Sequence, residues 1–203
     1  MMYKLTVAIM AGGKSSRMGA DKAFVPLLGR PMIEHVIQHV SDLGQNETIL
    51  ITNRPADYAH LKLPMYGDVL PEKGSLGGIY TAVHYSTSPY TLVVACDMPF
   101  VNSELLRYMI GLIDETNDRY DVIVPRVDGY PEGLHAIYGK GCLTPIREQL
   151  DRQELKVIGF YPQVRVRYLD EPEYVSIDPK KRSFQNINTP EEIQDAEVLL
   201  KGG

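Results

Sequence analysis

Residues 5–22 read Leu-Thr-Val-Ala-Ile-Met-Ala-Gly-Gly-Lys-Ser-Ser-Arg-Met-Gly-Ala-Asp-Lys, an apolar run followed by a loop rich in glycine and cations. The apolar run predicts a buried strand. Glycines let the backbone approach an anion and turn its N–H groups toward it, and Arg17 and Lys22 add positive charge. The stretch therefore predicts a phosphate-binding loop after the first strand, with a solvated basic loop as the alternative.

The loop does not follow the two common phosphate-binding patterns. A Walker loop needs a glycine five residues before Gly-Lys-Ser, and Ala8 occupies that position relative to Gly13. The three glycines of a dinucleotide-binding fingerprint are also not at the required spacing. The loop therefore belongs to another class of nucleotide-binding protein.

Apolar runs of strand length alternate along the chain with amphipathic segments of helical period. This alternation predicts an α/β fold with a mostly parallel central sheet in one domain, residues 1–203. The predicted strands are 3–10, 47–52, 91–96, 120–124, 133–139 and 164–169. The predicted helices are 31–43, 75–86, 102–114, 140–151 and 190–201.

Polar residues follow several predicted strands at their carboxyl ends, where ligands bind in open parallel sheets. Asp97 follows an apolar strand and is predicted to hold Mg²⁺ together with nucleotide phosphates, although a turn or helix-cap role is the alternative. Backbone groups of residues 10–13 and the amide of Asn53 offer the hydrogen-bonding groups that a purine edge needs. Asn53 and Asp68 are also common turn residues, so both interpretations stay open for them.

The composition argues against several classes of binding partner. A net charge of −5 argues against nucleic acid, and no apolar stretch approaches the roughly 20 residues of a membrane span. Cys96 and Cys142 have no zinc-site or disulfide spacing, and the N-terminus resembles no signal peptide. We therefore expect a cytoplasmic protein whose partners are small molecules.

The motifs together resemble those of the molybdenum cofactor guanylyltransferases. The pattern Ala11-Gly12-Gly13-x-Ser15-x-Arg17-Met18-Gly19-x-Asp21-Lys22 is similar to the signature loop of that family. Further matches follow in the family's order: Thr52-Asn53, Asp68 with Gly74-Ser75-Leu76-Gly77-Gly78, Cys96-Asp97-Met98-Pro99, Glu132-Gly133-Leu134-His135-Ala136-Ile137-Tyr138, and Asn186-Ile187-Asn188-Thr189-Pro190-Glu191-Glu192. Ser75 and Gly133 stand where the family usually has proline. The change at Gly133 concerns the geometry of the part of the site that is expected to bind the acceptor.

The resemblance implies a three-layer Rossmann-like nucleotidyltransferase fold, with nucleotide bound by about residues 1–100 and acceptor by about 101–203. It implies transfer of GMP from GTP to molybdopterin or molybdenum cofactor with release of pyrophosphate, and Mg²⁺ as cofactor. It also implies partner proteins that deliver molybdopterin and molybdoenzymes that accept the product. The implied catalytic residues are Lys22, Arg17 and Asp97, with Asp97 as the metal ligand. The implied nucleotide-binding residues are Met10, Ala11, Gly12, Gly13, Lys22, Asn53, Asp68 and Asp97.

Two alternative functions remain at this point. One is a cytidylyltransferase or another nucleotidyltransferase of the same fold. The other is a nucleotide-binding module without catalysis that serves molybdoenzyme maturation. The presence of Arg17, Lys22 and Asp97 together argues against the second, because each is useful for transfer and dispensable for a scaffold.

Overall fold

A computed structural model describes residues 5–12, 22–115 and 119–201. Within them the strands are β1 (Leu5–Met10), β2 (Pro26–Leu27), β3 (Arg30–Pro31), β4 (Glu47–Ile51), β5 (Met65–Tyr66), β6 (Tyr90–Ala95), β7 (Val122–Val127), β8 (Tyr130–Pro131), β9 (His135–Gly139) and β10 (Val166–Leu169). The α-helices are α1 (Met32–Val40), α2 (Pro55–Tyr58), α3 (Gly74–Tyr85), α4 (Ser103–Glu115), α5 (Leu143–Asp151), α6 (Glu171–Tyr174) and α7 (Pro190–Lys201).

The main sheet has the order β10-β7-β9-β6-β1-β4-β5, with β8 paired to β7 at one end of that strand. Strands β5, β4, β1 and β6 are mutually parallel, and β10 is parallel to β7. Strand β9 runs antiparallel to both of its neighbours, β6 and β7. The prediction of a mostly parallel sheet in an α/β fold is confirmed.

The strand order changes direction at β1, whose neighbours are β4 on one side and β6 on the other. In an open α/β sheet such a switch point leaves a crevice beyond the carboxyl ends of the strands. The glycine-rich segment begins directly after β1. The fold therefore starts this segment at the position where ligands of such sheets bind.

Helices cover both faces of the sheet, which gives the three predicted layers. Alternate side chains of β1 enter different clusters: Ile9 packs in the core beneath α1 and α4, whereas Ala8 packs beneath α3 and α5. This period of two is what a strand buried on both faces requires. The near-continuous apolar runs of β1 and β6 have the same origin, since both strands are central.

The predicted elements are present with small changes at their ends. The predicted helix 31–43 ends at Val40, and residues 140–142 form a 3-10 turn before α5. The short strands β2, β3, β5 and β8 were not predicted, because two-residue strands have no periodicity to detect. One tight turn joins β2 to β3 and another joins β7 to β8. In the second turn Asp128 and Gly129 have φ of 50° and 85°, as a hairpin turn of the Asp-Gly type requires.

Across the described parts of the chain, no helix combines the length and the apolar character that crossing a bilayer requires.

Candidate active site

The carboxyl ends of four neighbouring strands lie level with one another. In the sheet register, Met10 at the end of β1 pairs with Ile51 of β4 and with Ala95 of β6. Ile51 in turn pairs with Tyr66, the last residue of β5. The polar residues that follow these strands therefore meet along one edge, as the strand pattern predicted.

Lys22 and Asp97 approach each other at this edge. The Lys22 ammonium lies 3.7 Å from Oδ2 of Asp97, and these side chains are 25% and 21% exposed. The same ammonium donates a hydrogen bond to Oδ1 of Asn188, which comes from the far end of the chain. The backbone N–H of Ile187 donates to the carbonyl oxygen of Asp97 at 3.0 Å, so two contacts join the C-terminal segment to the site.

Burial raises the pKa of the Asp97 carboxyl, and the positive charge of Lys22 offsets this effect only in part. A buried carboxylate whose charge is only partly compensated is stabilised by a further cation. Magnesium prefers such oxygen ligands and is commonly held by one or two carboxylates together with substrate phosphates. Among the described residues no group of three or more His, Cys, Asp or Glu side chains could hold a metal by itself. The donor set therefore fits an ion shared with a bound phosphate.

Asn53 and Asp68 form a second polar pair, beyond β4 and β5. The Asn53 amide donates to Oδ2 of Asp68 at 2.8 Å, and the Asp68 backbone N–H donates to Oδ1 of Asn53 at 2.8 Å. Gly67 permits this pair, because a Cβ there would lie 3.2 Å from Oδ1 of Asn53. The other carboxylate oxygen of Asp68 faces Gly78 in the first turns of α3.

Some backbone groups of the predicted nucleotide-binding loop form hydrogen bonds with the sheet. The Ala11 N–H donates to the Ile51 carbonyl at 2.9 Å, and the Met10 carbonyl accepts from Cys96 at 3.1 Å. The methyl end of Met10 fills the space above Gly78, where a Cβ would lie 2.2 Å from it. Gly12 lies exposed at the end of the described segment. Gly13 and Arg17, also predicted for the site, lie outside the described residues.

The comparisons with known proteins agree with this geometry. The MobA-like NTP transferase domain family matches residues 7–164. The molybdenum cofactor guanylyltransferase of Desulfosudis oleivorans is 34% identical over 100% of this chain and 98% of its own length. A protein of Carboxydothermus hydrogenoformans named "probable molybdenum cofactor guanylyltransferase" is 37% identical over 98% of this chain and 97% of its own length. The chain belongs to the molybdenum cofactor guanylyltransferase family.

A solved structure supports this membership of the guanylyltransferase family. The crystal structure of molybdopterin-guanine dinucleotide biosynthesis protein A from Archaeoglobus fulgidus matches with a TM-score of 0.83 at 27% identity. The match covers 98% of this chain and 100% of that one. The family resemblance stated from the motifs is thereby confirmed over nearly the whole length.

In this guanylyltransferase family member, the start of α7 holds Asn188 in place. The Glu192 carboxylate accepts from the backbone N–H groups of Thr189, at 3.0 Å, and of Asn188. The Thr189 hydroxyl accepts from the Glu192 N–H at 3.2 Å, which completes a reciprocal capping box. The spacing of Thr189 and Glu192 is the sequence signature of such a box. The contact of the neighbouring Asn188 with Lys22, 166 residues away in the chain, has no such local signature.

His135 lies inside the guanylyltransferase family's Glu-x-Leu strand motif, and its side chain makes no hydrogen bond to the described residues. It is fully buried beside the Phe184 ring, at 4.9 Å between centroids, and neither ring nitrogen has a hydrogen-bond partner among the described residues. Burial lowers its pKa to about 4, against a smaller opposite effect of Asp178. His135 is thus a packed neutral residue.

His135 should make the stability of the fold depend on pH. Because its pKa falls from 6.5 to about 4 on folding, the unfolded chain binds a proton that the native chain does not. The free energy of unfolding should therefore be fully retained above pH 6.5 and fall by on the order of 3 kcal/mol as the pH decreases toward 4. Urea unfolding across this window should show the loss, and His135→Leu should flatten it. An equally steep dependence in His135→Leu would assign the loss to other groups.

Proposed function

We propose that this chain transfers GMP from GTP to molybdopterin or to its molybdenum-bearing form, with release of pyrophosphate, in molybdenum cofactor biosynthesis. The observation that carries the proposal is the approach of Lys22 to Asp97 at the switch point of the sheet, directly after the glycine-rich segment. The names of the relatives from Desulfosudis oleivorans and Carboxydothermus hydrogenoformans, both guanylyltransferases, support GTP over CTP as donor.

The proposed reaction needs no side-chain nucleophile. An oxygen of the acceptor's terminal phosphate forms a bond to the α-phosphorus of GTP. The bond from that phosphorus to the oxygen bridging to the β-phosphorus breaks, and pyrophosphate leaves with the electron pair. Catalysis of such a transfer depends on positioning and on positive charge near the reacting phosphate.

Lys22 supplies that positive charge from a prepared position. Its ammonium is oriented by the Asn188 amide oxygen and by Asp97, so little reorganisation is needed when a phosphate binds. Asp97 is the residue that would hold Mg²⁺, and the bound ion would neutralise charge on the phosphates. Arg17 is proposed to contact the β- or γ-phosphate.

The nucleoside is proposed to bind beyond the carboxyl ends of β4 and β5. The pair of Asn53 and Asp68 fixes a carboxylate oxygen on the side of Gly78, next to the methyl end of Met10. Guanine presents two adjacent N–H donors on one edge, and a carboxylate accepts both. The exposed backbone of Gly12 and the backbone groups of Gly13 are proposed to complete the contact.

The decisive experiment incubates the purified protein with Mg²⁺, molybdopterin and each nucleoside triphosphate in turn, and measures pyrophosphate. We expect release with GTP and formation of molybdopterin guanine dinucleotide. Release with CTP and none with GTP would make the protein a cytidylyltransferase. Nucleotide binding without any release would favour the non-catalytic module.

We further propose that the reaction takes place in the cytoplasm, between proteins that deliver molybdopterin and molybdoenzymes that take up the product.

A further inference from the structure

Glu132 lies at the same edge of the sheet as Asp97, one strand away. Its carbonyl accepts from the N–H of His135 at 3.0 Å, at the turn where β9 begins. Next to that turn, the Leu134 carbonyl accepts from the N–H of Ala95, the last residue of β6, at 3.1 Å. Because β9 is antiparallel to β6, its beginning lies beside the end of β6 that leads to Asp97.

The Glu132 carboxylate is half-buried and has no cation or donor facing it within the described parts of the chain. Burial alone raises its pKa, with no opposing effect from a neighbouring positive charge or hydrogen bond. Burial is the main cause of the raised pKa of Tyr161, and the Glu132 charge makes a small further contribution in the same direction. An incompletely solvated carboxylate without a partner destabilises the fold, and such groups concentrate at binding sites.

Three arginines on or next to β7 and β10 are already paired with other acids. Arg126 makes a bidentate contact with Asp170, at 2.7 and 2.8 Å, and stacks over the Tyr168 ring. Arg167 pairs with Glu173, and Arg165 pairs with Asp121 at the opposite end of the strands. The chain therefore pairs these cations with acids while it leaves Glu132 open. Among the described residues Glu132 thus has no cation, and a bound molecule that offers hydrogen-bond donors would complete it.

Asp68 and Glu132 lie on either side of Lys22 and Asp97 in the strand order. Asp68 follows β5 and Glu132 precedes β9, and these strands are four positions apart in the sheet. At about 4.8 Å per strand, this separation is roughly 19 Å. Lys22 and Asp97 lie between them, after β1 and β6. A molecule with a heterocycle at each end and phosphates in the middle fits this order.

We propose that Glu132 binds the acceptor by the 2-amino lactam edge of its pterin ring. A pterin presents N3–H and the 2-amino group side by side, and an ionised carboxylate accepts one hydrogen bond from each. Guanine carries the same pair of donors, so the enzyme would use one kind of recognition twice: Asp68 for the donor base and Glu132 for the acceptor. This inference rests on the proposed function, because it takes the acceptor to be molybdopterin.

The first test compares steady-state pyrophosphate release by the wild type, Glu132→Gln, Asp68→Asn and Glu148→Gln. Glu132→Gln replaces an acceptor oxygen by a donor, and we expect the KM for molybdopterin to rise by about 10- to 100-fold. The KM for GTP should stay within about twofold, as expected for a change confined to one substrate. Asp68→Asn should show the reverse selectivity. Glu148→Gln, an exposed position on α5, should match the wild type.

The second test measures binding without turnover. Fluorescence quenching of 6-hydroxymethylpterin by the protein is compared with that of the corresponding lumazine, which carries an oxygen in place of the 2-amino group. The wild type should favour the pterin, and Glu132→Gln should lose this preference. Thermal unfolding should show that Glu132→Gln is at least as stable as the wild type, since it relieves an unpaired charge; Glu132→Asp, which keeps the charge, provides a second variant.

The outcomes separate the two proposals. An unchanged KM for molybdopterin in folded Glu132→Gln, together with an unchanged preference for the pterin, would overturn the role of Glu132 and leave the proposed function standing. A wild type that discriminates pterin from lumazine through Glu132 but releases no pyrophosphate from GTP would overturn the proposed function and leave this binding role intact.

Discussion

Replacing Asp97 by alanine should lower the rate of GMP transfer by about 100- to 1000-fold, as expected when a preorganised charge at the reacting phosphates is lost. The variant lacks the carboxylate that would hold Mg²⁺, and it also leaves Lys22 with Asn188 as its remaining described partner. Single-turnover assays with labelled GTP and saturating molybdopterin measure the effect on the transfer step. Binding of GTP should also become insensitive to added Mg²⁺.

The matched control for this prediction is Asp114→Ala, which removes an exposed carboxylate near the end of α4 and should leave transfer unchanged. Circular dichroism should show both variants folded, because burial already disfavours the charged form of Asp97. If Asp97→Ala instead kept transfer within a few-fold of the wild type, the metal ligand would have to lie elsewhere. Intact molybdoenzyme activity in cells that carry only this variant would favour the non-catalytic module.

Replacing Lys22 by alanine should lower kcat by about 100-fold while the fold is retained. The ammonium contacts polar groups of Asn188 and Asp97 and is a quarter exposed, so its loss leaves no apolar cavity. The KM for GTP should change less than kcat, because the charge is expected to act mainly on the transition state. Lys62→Ala, at an exposed position, is the control for loss of one positive charge.

The result that would contradict this prediction is an unfolded Lys22→Ala by circular dichroism, which would make Lys22 a structural residue. A kcat unchanged in a folded variant would equally remove it from the catalytic machinery. The charge-retaining variant Lys22→Arg should recover part of the activity, because the bulkier guanidinium keeps the charge but not the contact geometry with Asn188.

Much of the fold followed from the sequence because its signals are local. The apolar runs of β1 and β6 and the helical period of α1 and α4 are long enough to identify the elements. The direction of β9 was not predictable in the same way, since an apolar run of five residues reads the same in either direction. Two-residue strands such as β5 carry no pattern at all, although β5 positions Asp68.

The site was predictable at the level of which strand ends meet, but not at the level of side-chain partners. Lys22 and Asp97 were predicted to share a cleft, and they lie 3.7 Å apart. The contact of Lys22 with Asn188 depends on how the C-terminal segment crosses the edge, and no local spacing encodes that path. That Glu132 has no partner among the described residues could not be predicted either, because it depends on which acids pair with the arginines of β7 and β10.

The reversed direction of β9 has a consequence for how this enzyme family can change its acceptor. Under the proposed function, the nucleotide is bound by strand ends that lead onward into loops and helices, whereas the acceptor is bound beside the beginning of β9, which follows a hairpin. Residues 128–134 can therefore vary in length and chemistry without shifting the loop after β1 or the pair of Asn53 and Asp68. Exchange of this hairpin between relatives is accordingly a route to new acceptors that keeps the nucleotide specificity of the parent.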